Sequence, residues 1–228
     1  MEHRITEDQP VFAKGFCFAK IFMIFVIGCI IGTYYEELLY FFKSGHWASR
    51  QGVLYGPFNP IYGIGFAGFV LLFGKNVETR PWYLTFLYCC LLGGISEYVL
   101  SLIGEKMFHA TFWDYSQHFL NIGGRTTIPF MLFWGLGGFL FLKFIYPFLA
   151  KWIEKIPYSF ARYFYPFLLV FLMLDMLLSY TVLVRQALRK DGKPATTIVT
   201  KFYDRVYTDE RLAKTFPNIV HDKNILDD

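Results

Sequence analysis

The stretch KIFMIFVIGCIIG, residues 20–32, decides the fold class of this chain. It contains one charged residue, Lys20, and it lies within a mostly apolar segment from about Gly15 to Phe42. A helix needs about 20 mostly apolar residues to cross a bilayer. Because the segment lacks a small-residue cleavage site and the polar YYEELLY follows, it predicts a retained membrane-spanning helix rather than a signal peptide.

Four further segments of this kind follow, and together the five predict the domain organisation. The predicted spans are residues 15–42, 61–74, 81–108, 126–150 and 161–184. We therefore predict an all-α fold, a polytopic transmembrane helical bundle of about five helices over residues 15–190. A polar N-terminal segment, 1–14, precedes this bundle. Residues 191–228 are predicted as a soluble C-terminal tail with one or two short helices, the second of them opened by Thr208.

The composition supports a membrane protein and excludes several other classes. Of the 228 residues, 55% are hydrophobic and 18% charged, whereas soluble domains carry about 25% charged residues. Disorder, a collagen-like chain and a disulfide scaffold are excluded. The net charge of +4 is too small and too dispersed for a nucleic-acid partner. The four cysteines lie within apolar segments, where we expect them to pack as small hydrophobic residues, and no cofactor or metal pattern is present.

The basic residues bear on membrane orientation. In a five-span topology, seven Lys and Arg residues lie on one side and eight on the other, so their number does not decide it. A basic cluster directly after the last span favours a cytoplasmic C-terminus. Its members are Arg185, Arg189, Lys190 and Lys193. If the LYGPFNPIYG segment is re-entrant and the second span does not cross, both termini lie on the same side.

Acidic residues inside the predicted spans are the main anomaly. Glu36 and Glu37 lie near the end of the first span, Glu97 lies in the third, and Asp175 lies near the middle of the fifth. An acidic side chain near the bilayer centre costs roughly 2.5–3.5 kcal/mol on insertion scales. Such residues normally face the bundle interior, a partner or a water-filled cavity. The structural alternative is a neutral, hydrogen-bonded carboxyl that fixes helix register, while Glu37 is expected to reach the interface.

Small residues share a helix face with these acids. Gly28 and Gly32 precede Glu36 at intervals of four residues, and Gly93 precedes Glu97 in the same way. Small residues at this spacing let helices approach closely, and polar side chains then bond across the contact. Similar faces are formed by Gly63, Gly65 and Gly68 and by Gly135, Gly137 and Gly138. The simplest packing directs Glu36 and Glu97 towards a common interior, with Arg50, Arg125 or His109 near its mouth.

The segment LYGPFNPIYGIG, residues 54–65, is the most unusual one. Pro57 and Pro60 forbid a regular helix there. Irregular backbone at membrane depth is tolerated only where it is buried in protein or lines a cavity. Broken helices of transporters use their freed backbone groups to bind ions and substrates. The alternative is a tight interfacial turn that leads into the second span.

The aromatic loop between the third and fourth spans is predicted to lie at the membrane interface. Its Asp114 is expected to cap a turn or to form a structural ion pair with Arg125. Glu105 and His109, one helical turn apart, are suitable metal ligands. Because two ligands are too few, an ordinary interfacial pair is the favoured interpretation of these two residues.

Five motifs follow one another along the chain. They are G-x-Y-x-E from Gly32, R-x-G-x-L-Y-G-P-F-x-P-I-Y-G-x-G from Arg50, E-Y-x-x-S-x-x-x-E-K-x-F-H from Glu97, W-D-Y-S from Trp113 and G-R at Gly124. In this order and spacing they resemble the motifs of one bacterial family of multi-pass membrane proteins, called Putative ABC-transporter type IV. The resemblance covers about residues 15–190. Two departures occur before Arg125, where Leu120 replaces an expected aromatic residue and Gly123 an expected Asn.

The resemblance implies a permease-like component of an ABC-type transport system in the bacterial cytoplasmic membrane. The chain has no G-x-x-x-x-G-K-[ST] phosphate loop, so any ATP-driven role needs a separate ATPase subunit. Five spans are few for a transport path, and a homo-oligomer is therefore expected. The predicted polar site comprises Glu36, Arg50, Tyr55, Asn59, Tyr62, Glu97, Glu105, His109, Asp114, Arg125 and Asp175.

Two alternatives stay open. One is a non-catalytic scaffold or accessory subunit, in which the acids serve helix packing and the tail binds a partner. The other is an intramembrane enzyme that acts on a lipid-linked substrate through acidic, basic and histidine side chains at the interface. No serine or cysteine nucleophile stands out for such an enzyme. No cofactor is expected under any of the three interpretations.

Overall fold

The structure, a computed structural model, describes residues 11–108 and 114–217, with residues 104–108 described by their backbone alone. Its helices are α1 (Phe18–Ser44), α2 (Pro60–Phe73), α3 (Trp82–Phe108), α4 (Ile128–Leu140), α5 (Tyr146–Glu154), α6 (Tyr158–Lys190), α7 (Ile198–Val206) and α8 (Asp209–Thr215). A 3₁₀ turn, Gly74–Asn76, follows α2, and a π-helical turn, Phe141–Ile145, joins α4 to α5. Two short strands, β1 (Asn121–Ile122) and β2 (Thr126–Thr127), form an antiparallel hairpin.

Among the residues that the structure describes, four helices are long and apolar enough to cross a membrane. They are Phe18–Ser44, Trp82–Ile103, Ile128–Glu154, which includes α4 and α5, and Tyr158–Lys190. The predicted second span corresponds to α2, which has 14 residues. Such a helix is about 21 Å long, shorter than the hydrocarbon core of about 30 Å. The prediction of a helical membrane protein is therefore confirmed, but the count of about five spans is not.

Local sequence explains where several helices begin and end. Gly45 ends α1 in the left-handed region, with φ of 76°, and its N–H donates to the carbonyl of Phe41. Thr127 precedes α4 in an extended conformation, and its hydroxyl accepts from the N–H of Phe130. Thr208 caps α8 as predicted and accepts from the N–H of Arg211.

The described chain divides into two compact units. The first unit contains the residues up to Ala67 together with those from Lys151 onward, and the second runs from Gly68 to Ala150.

In the first unit, α1 and α6 run parallel. Near their starts, the ring of Phe22 in α1 contacts that of Tyr165 in α6, with centroids 5.5 Å apart. The buried Lys20 forms an ion pair with Glu154, four residues before α6 begins. The chain that follows α1 then contacts the middle of α6, where the N–H of Tyr55 bonds to Asp175. The starts of α1 and α6 therefore lie at the same end of this unit.

The second unit contains an antiparallel contact between α3 and α4 that depends on glycine. A Cβ built on Gly93 would lie 2.3 Å from the Cβ of Trp134, and one on Gly135 would lie 2.1 Å from the Sγ of Cys90. Both approaches are far closer than van der Waals contact. The predicted role of small residues is confirmed here, and the first unit repeats it at Gly28, Gly32 and Gly63. It is wrong for Gly65, Gly68 and Gly137, which have open space at the Cβ position.

Candidate functional site

An irregular segment, residues 51–59, enters the first unit to the depth of the middle of α1. Within it, the N–H of Gly52 donates to the carbonyl of Phe58 at 2.9 Å. At its end, the N–H of Asn59 donates to the carbonyl of Cys29 at 3.1 Å. Cys29 is the twelfth of the 27 residues of α1 and is fully buried. The irregular segment therefore brings non-helical backbone to a level that lies about halfway along a spanning helix.

Two buried polar side chains of α6 bind the backbone of this segment. The hydroxyl of Ser179 accepts from the N–H of Leu54 at 2.8 Å and donates to the carbonyl of Asp175 at 2.6 Å. The carboxylate oxygens of Asp175 accept from the N–H of Tyr55 at 3.3 Å. Asp175 and Ser179 are each 3% exposed. They supply the hydrogen bonds that a helix would otherwise provide, which an apolar environment makes obligatory.

Asn59 links the irregular segment to α2. Its side-chain oxygen accepts from the N–H of Ile61 at 3.3 Å, which is the geometry of an N-cap. Its side-chain amide donates to the carbonyl of Arg50 at 3.2 Å. The guanidinium of Arg50 lies 3.9 Å from the centre of the Tyr40 ring, and the backbone N–H of Arg50 donates to Glu37 at 3.4 Å. Asn59 thus acts on both ends of the segment.

Glu36 and Tyr62 meet where α1 and α2 pack. The Tyr62 ring covers Gly32, where an added Cβ would lie 2.1 Å from the ring carbon Cγ. The hydroxyl of Tyr62 lies close to the half-buried carboxyl of Glu36. Any side chain at position 32 would displace the Tyr62 ring. Gly32 therefore allows the Tyr62 hydroxyl to reach the carboxyl of Glu36.

Glu97 belongs to the second unit, where both of its carboxylate oxygens are hydrogen-bonded. One accepts from the hydroxyl of Thr126 at 2.7 Å, and the other accepts from the indole N–H of Trp134 at 3.0 Å. Thr126 is buried, whereas Glu97 is half-buried. The acid therefore connects α3 to the start and the second turn of α4.

Arg125 lies beside this cluster. Its guanidinium donates to the hydroxyl of Ser101 at 3.2 Å and lies 5.8 Å from the centre of the Tyr98 ring. Asp114 caps its own turn, accepting from the N–H of Ser116 at 2.8 Å, and this bond lowers the pKa of its carboxyl. Of its two predicted roles, the turn cap is confirmed. The predicted pair of Glu105 and His109 lies outside the described side chains.

The C-terminal tail packs against the end of α6. Arg185 binds Asp204 in a bidentate manner at 2.6 and 2.8 Å, and Arg189 bonds to both Asp204 and Asp209. These arginines hold the pKa of each aspartate below its ordinary value. The Tyr207 hydroxyl contacts that of Tyr55 at 3.0 Å, and burial raises the pKa of Tyr207 to about 12. The tail therefore contacts the irregular segment directly.

An apolar cluster reinforces this docking. It consists of Leu54, Val182, Tyr207, Leu212 and Phe216, with Leu178, Leu183, Tyr203 and Val206 packed around it. One of its five buried members comes from the irregular segment, one from α6 and the rest from the tail. The tail is thus part of the first unit rather than a separate element joined by a linker.

The predicted site residues fall into two groups. The first group lies in the first unit and comprises the irregular segment and its hydrogen-bond partners: Arg50, Tyr55, Asn59 and Asp175. Glu36 and Tyr62 lie in the same unit. Glu97 and Arg125 lie together in the second unit. The convergence of Glu36 with Glu97 and Arg125 on one cavity stays a prediction.

Several polar partners were not predicted from the sequence. Thr126 and Trp134 hold Glu97, and Glu154 holds the buried Lys20. The available signals were a lysine within an apolar run and polar groups at the start of the fourth span, but neither identifies its partner.

Comparisons with known proteins agree with the motifs quoted above. The searches of curated proteins and of solved structures return no significant match. Residues 23–180 match the family described as Putative ABC-transporter type IV. This match covers more than half of the chain, including most of α1, all of α2 to α5, the irregular segment and most of α6. The match is consistent with a transport-related membrane protein. Because it extends over more than half of the residues, the chain belongs to this family.

Proposed function

We propose that this chain is the membrane-embedded, permease-like component of a transport system, and that the irregular segment forms its working site. The observation that carries the proposal is non-helical backbone at the depth of Cys29, held by Asp175 and Ser179. Membrane proteins tolerate such backbone only inside protein or along a cavity, and transporters use it to bind ions and substrates. Glu36 and Arg50 supply charged groups on the same unit.

The direction of the helices supports a crossing by this segment. Because α1 and α6 run parallel, the chain must return to its starting side between the end of one and the start of the other. The helices α3 and α4–α5 contribute two crossings, which cancel. Residues 45–81 then provide the remaining crossing. In it, the irregular segment traverses one half of the bilayer and α2 traverses the other. The proposed topology has five crossings with termini on opposite sides.

A transport role also requires a source of energy. An ATP-driven cycle would use a separate ATPase subunit, because this chain carries no phosphate-binding loop. We also propose, from the family match, that the chain forms a homo-oligomer in the bacterial cytoplasmic membrane.

The bonding of Glu97 favours a second candidate, an accessory or scaffold subunit. Both oxygens of this acid are occupied by Thr126 and Trp134, as expected of a side chain that fixes helix packing. In the permease proposal, Glu97 is accordingly a structural residue, and Glu36 and Asp175 are the acids to test.

The experiment compares metabolite profiles of cells and medium in a strain that lacks the protein. Complementation uses the wild type, Glu36→Gln, Asp175→Asn and the control Glu78→Gln, which changes an exposed acid beyond the spanning helices. The proposal predicts that a solute accumulates on one side of the membrane in the strain that lacks the protein. The wild type and Glu78→Gln should restore its distribution, whereas Glu36→Gln and Asp175→Asn should not. A solute that accumulates identically in all strains, with each variant present at wild-type level, would refute it.

The same comparison separates the two candidates. A scaffold would lose its role through Glu97→Gln and the consequent loosening of α3 against α4, while tolerating Glu36→Gln. Reconstitution of the purified chain with its co-purifying ATPase then measures uptake of the identified solute into vesicles.

A further inference from the structure

Helix α7 presents an apolar face that stays largely exposed in the described first unit. Ile198 is 89% exposed, and Val199 and Phe202 are each more than half exposed. The opposite face is half-buried: the Tyr203 hydroxyl contacts Thr181 at 3.1 Å, and Asp204 bonds to Arg185. The helix therefore has one face on α6 and one apolar face turned outward.

The position of α7 along α6 relates it to the membrane. With 33 residues, α6 is about 50 Å long and exceeds a hydrocarbon core of about 30 Å. Its residues Thr181, Arg185 and Arg189 hold the tail, and they occupy its last three turns. Charged groups in the final turns of a spanning helix lie at the level of the headgroups. A helix fastened to those turns lies at that level too.

Exposed cations accompany the apolar face. Lys201 and Arg205 flank it on α7, Lys190 ends α6, and Lys193 lies between α6 and α7. All four side chains are exposed. Of the acids in the tail, Asp204 is bound by Arg185 and Arg189, and Asp209 by Arg189. Asp191, between Lys190 and Lys193, is the acid that stays exposed beside these cations. The outward surface thus combines large apolar side chains with a net positive charge. This is the pattern of helices that lie in the interface of an anionic bilayer.

We propose that α7 is an interfacial helix, with Ile198, Val199 and Phe202 inserted at the boundary between headgroups and acyl chains. Lys201 and Arg205 bind anionic phospholipid headgroups of the same bilayer that α6 spans. This part of the tail, predicted from the sequence to be soluble, lies on the membrane. The helix holds Tyr203 and Asp204 against α6 while its other face rests on lipid.

The test measures the depth of fluorescent labels on the full-length protein in vesicles. Single cysteines replace Phe202 or Val199, with Glu210→Cys on α8 as the control, in a background where the half-buried Cys17 is changed to serine. Vesicles contain phosphatidylcholine, with or without phosphatidylglycerol. We expect labels at 202 and 199 to be quenched by nitroxide lipids and shielded from aqueous iodide, and the label at 210 to show the reverse.

Three outcomes would overturn the proposal. Equal quenching by iodide at 202 and 210 would place α7 in water. Emission at 202 that changes with the ratio of protein to lipid would identify a second copy of the chain as the occupant. Lipid quenching at 202 could also be the same with and without phosphatidylglycerol, and the same after Lys201→Gln with Arg205→Gln. That result would exclude a role for the anionic headgroups. All labelled variants retain Asp204 and Tyr203, so α7 keeps its anchor to α6.

Discussion

Replacing Gly93 by alanine tests how closely α3 and α4 must approach. The new methyl carbon would lie 2.3 Å from the Cβ of Trp134 and 2.4 Å from its Cγ, whereas ordinary contact begins at 3.4 Å. The helices must separate locally by about 1 Å, since a Cβ cannot rotate away from its own backbone. Overpacking of this kind costs about 1–3 kcal/mol, and helix propensity returns up to about 1 kcal/mol.

Because the overlap with Trp134 exceeds 1 Å, we take the upper end of this cost, about 3 kcal/mol, and subtract about 1 kcal/mol for helix propensity. The expected net loss is about 2 kcal/mol in the free energy of unfolding, or roughly 30-fold in the equilibrium constant. The matched control is Gly137→Ala on α4, where nothing lies within 4 Å of the new carbon. It makes the same chemical change and should be neutral or stabilising. The difference between the two variants, about 2–3 kcal/mol, is largely free of helix propensity because both changes share that contribution.

The assay is reversible unfolding in mixed detergent micelles, followed by circular dichroism. Trp134 also donates to Glu97, one turn from Gly93, so Gly93→Ala should weaken that bond. Glu97→Gln should then cost less in the Gly93→Ala background than alone. Wild-type stability of Gly93→Ala, or an equal loss in Gly137→Ala, would show that this close contact does not hold the helices together.

Three further perturbations test other contacts. Ser179→Ala leaves the buried N–H of Leu54 without its acceptor and should destabilise the protein by about 1–3 kcal/mol, measured by the same unfolding assay. Thr127→Ala removes the cap of α4 and should cost about 1 kcal/mol, whereas Thr127→Ser should restore most of it. Asp204→Asn should increase hydrogen exchange in α7 and α8, with Glu210→Gln as the control; equal exchange in both would refute the ion-pair clamp. In the wild type, the lowered pKa of Asp204 predicts docking that is complete above about pH 4 and lost as pH falls through that lowered value.

The lengths of the apolar segments predicted the long helices well, because a helix that crosses a bilayer needs a minimum number of apolar residues. The first and third predicted spans, 15–42 and 81–108, match α1 and α3 closely. The irregular segment could also be located from the sequence, because Pro57 and Pro60 prevent a regular helix without the help of any tertiary contact. The fifth predicted span corresponds to α6, which extends beyond the predicted end at 184 to Lys190. In that extension, Arg185 and Arg189 form ion pairs with the aspartates of the tail.

The partners of the buried polar groups could not be predicted. Glu97 is separated from Thr126 by 29 residues and from Trp134 by 37. Which threonine or tryptophan meets an acid depends on helix rotation and register, and these follow from the packing of Gly93 and its neighbours. The docking of the tail likewise depends on shape, because many Arg and Asp pairings are compatible with the sequence of 191–228.

The dependence of the irregular segment on α6 has a consequence for biosynthesis. The N–H groups of Leu54 and Tyr55 find their acceptors 125 and 120 residues later in the chain. Synthesis at about 5–20 residues per second separates the two by roughly 6–25 s. During that interval their N–H groups lack the acceptors of α6, and exposure to acyl chains would cost several kcal/mol for each. The segment must therefore wait in water or in the translocation machinery, and it reaches its final depth only after the last spanning helix has entered the bilayer.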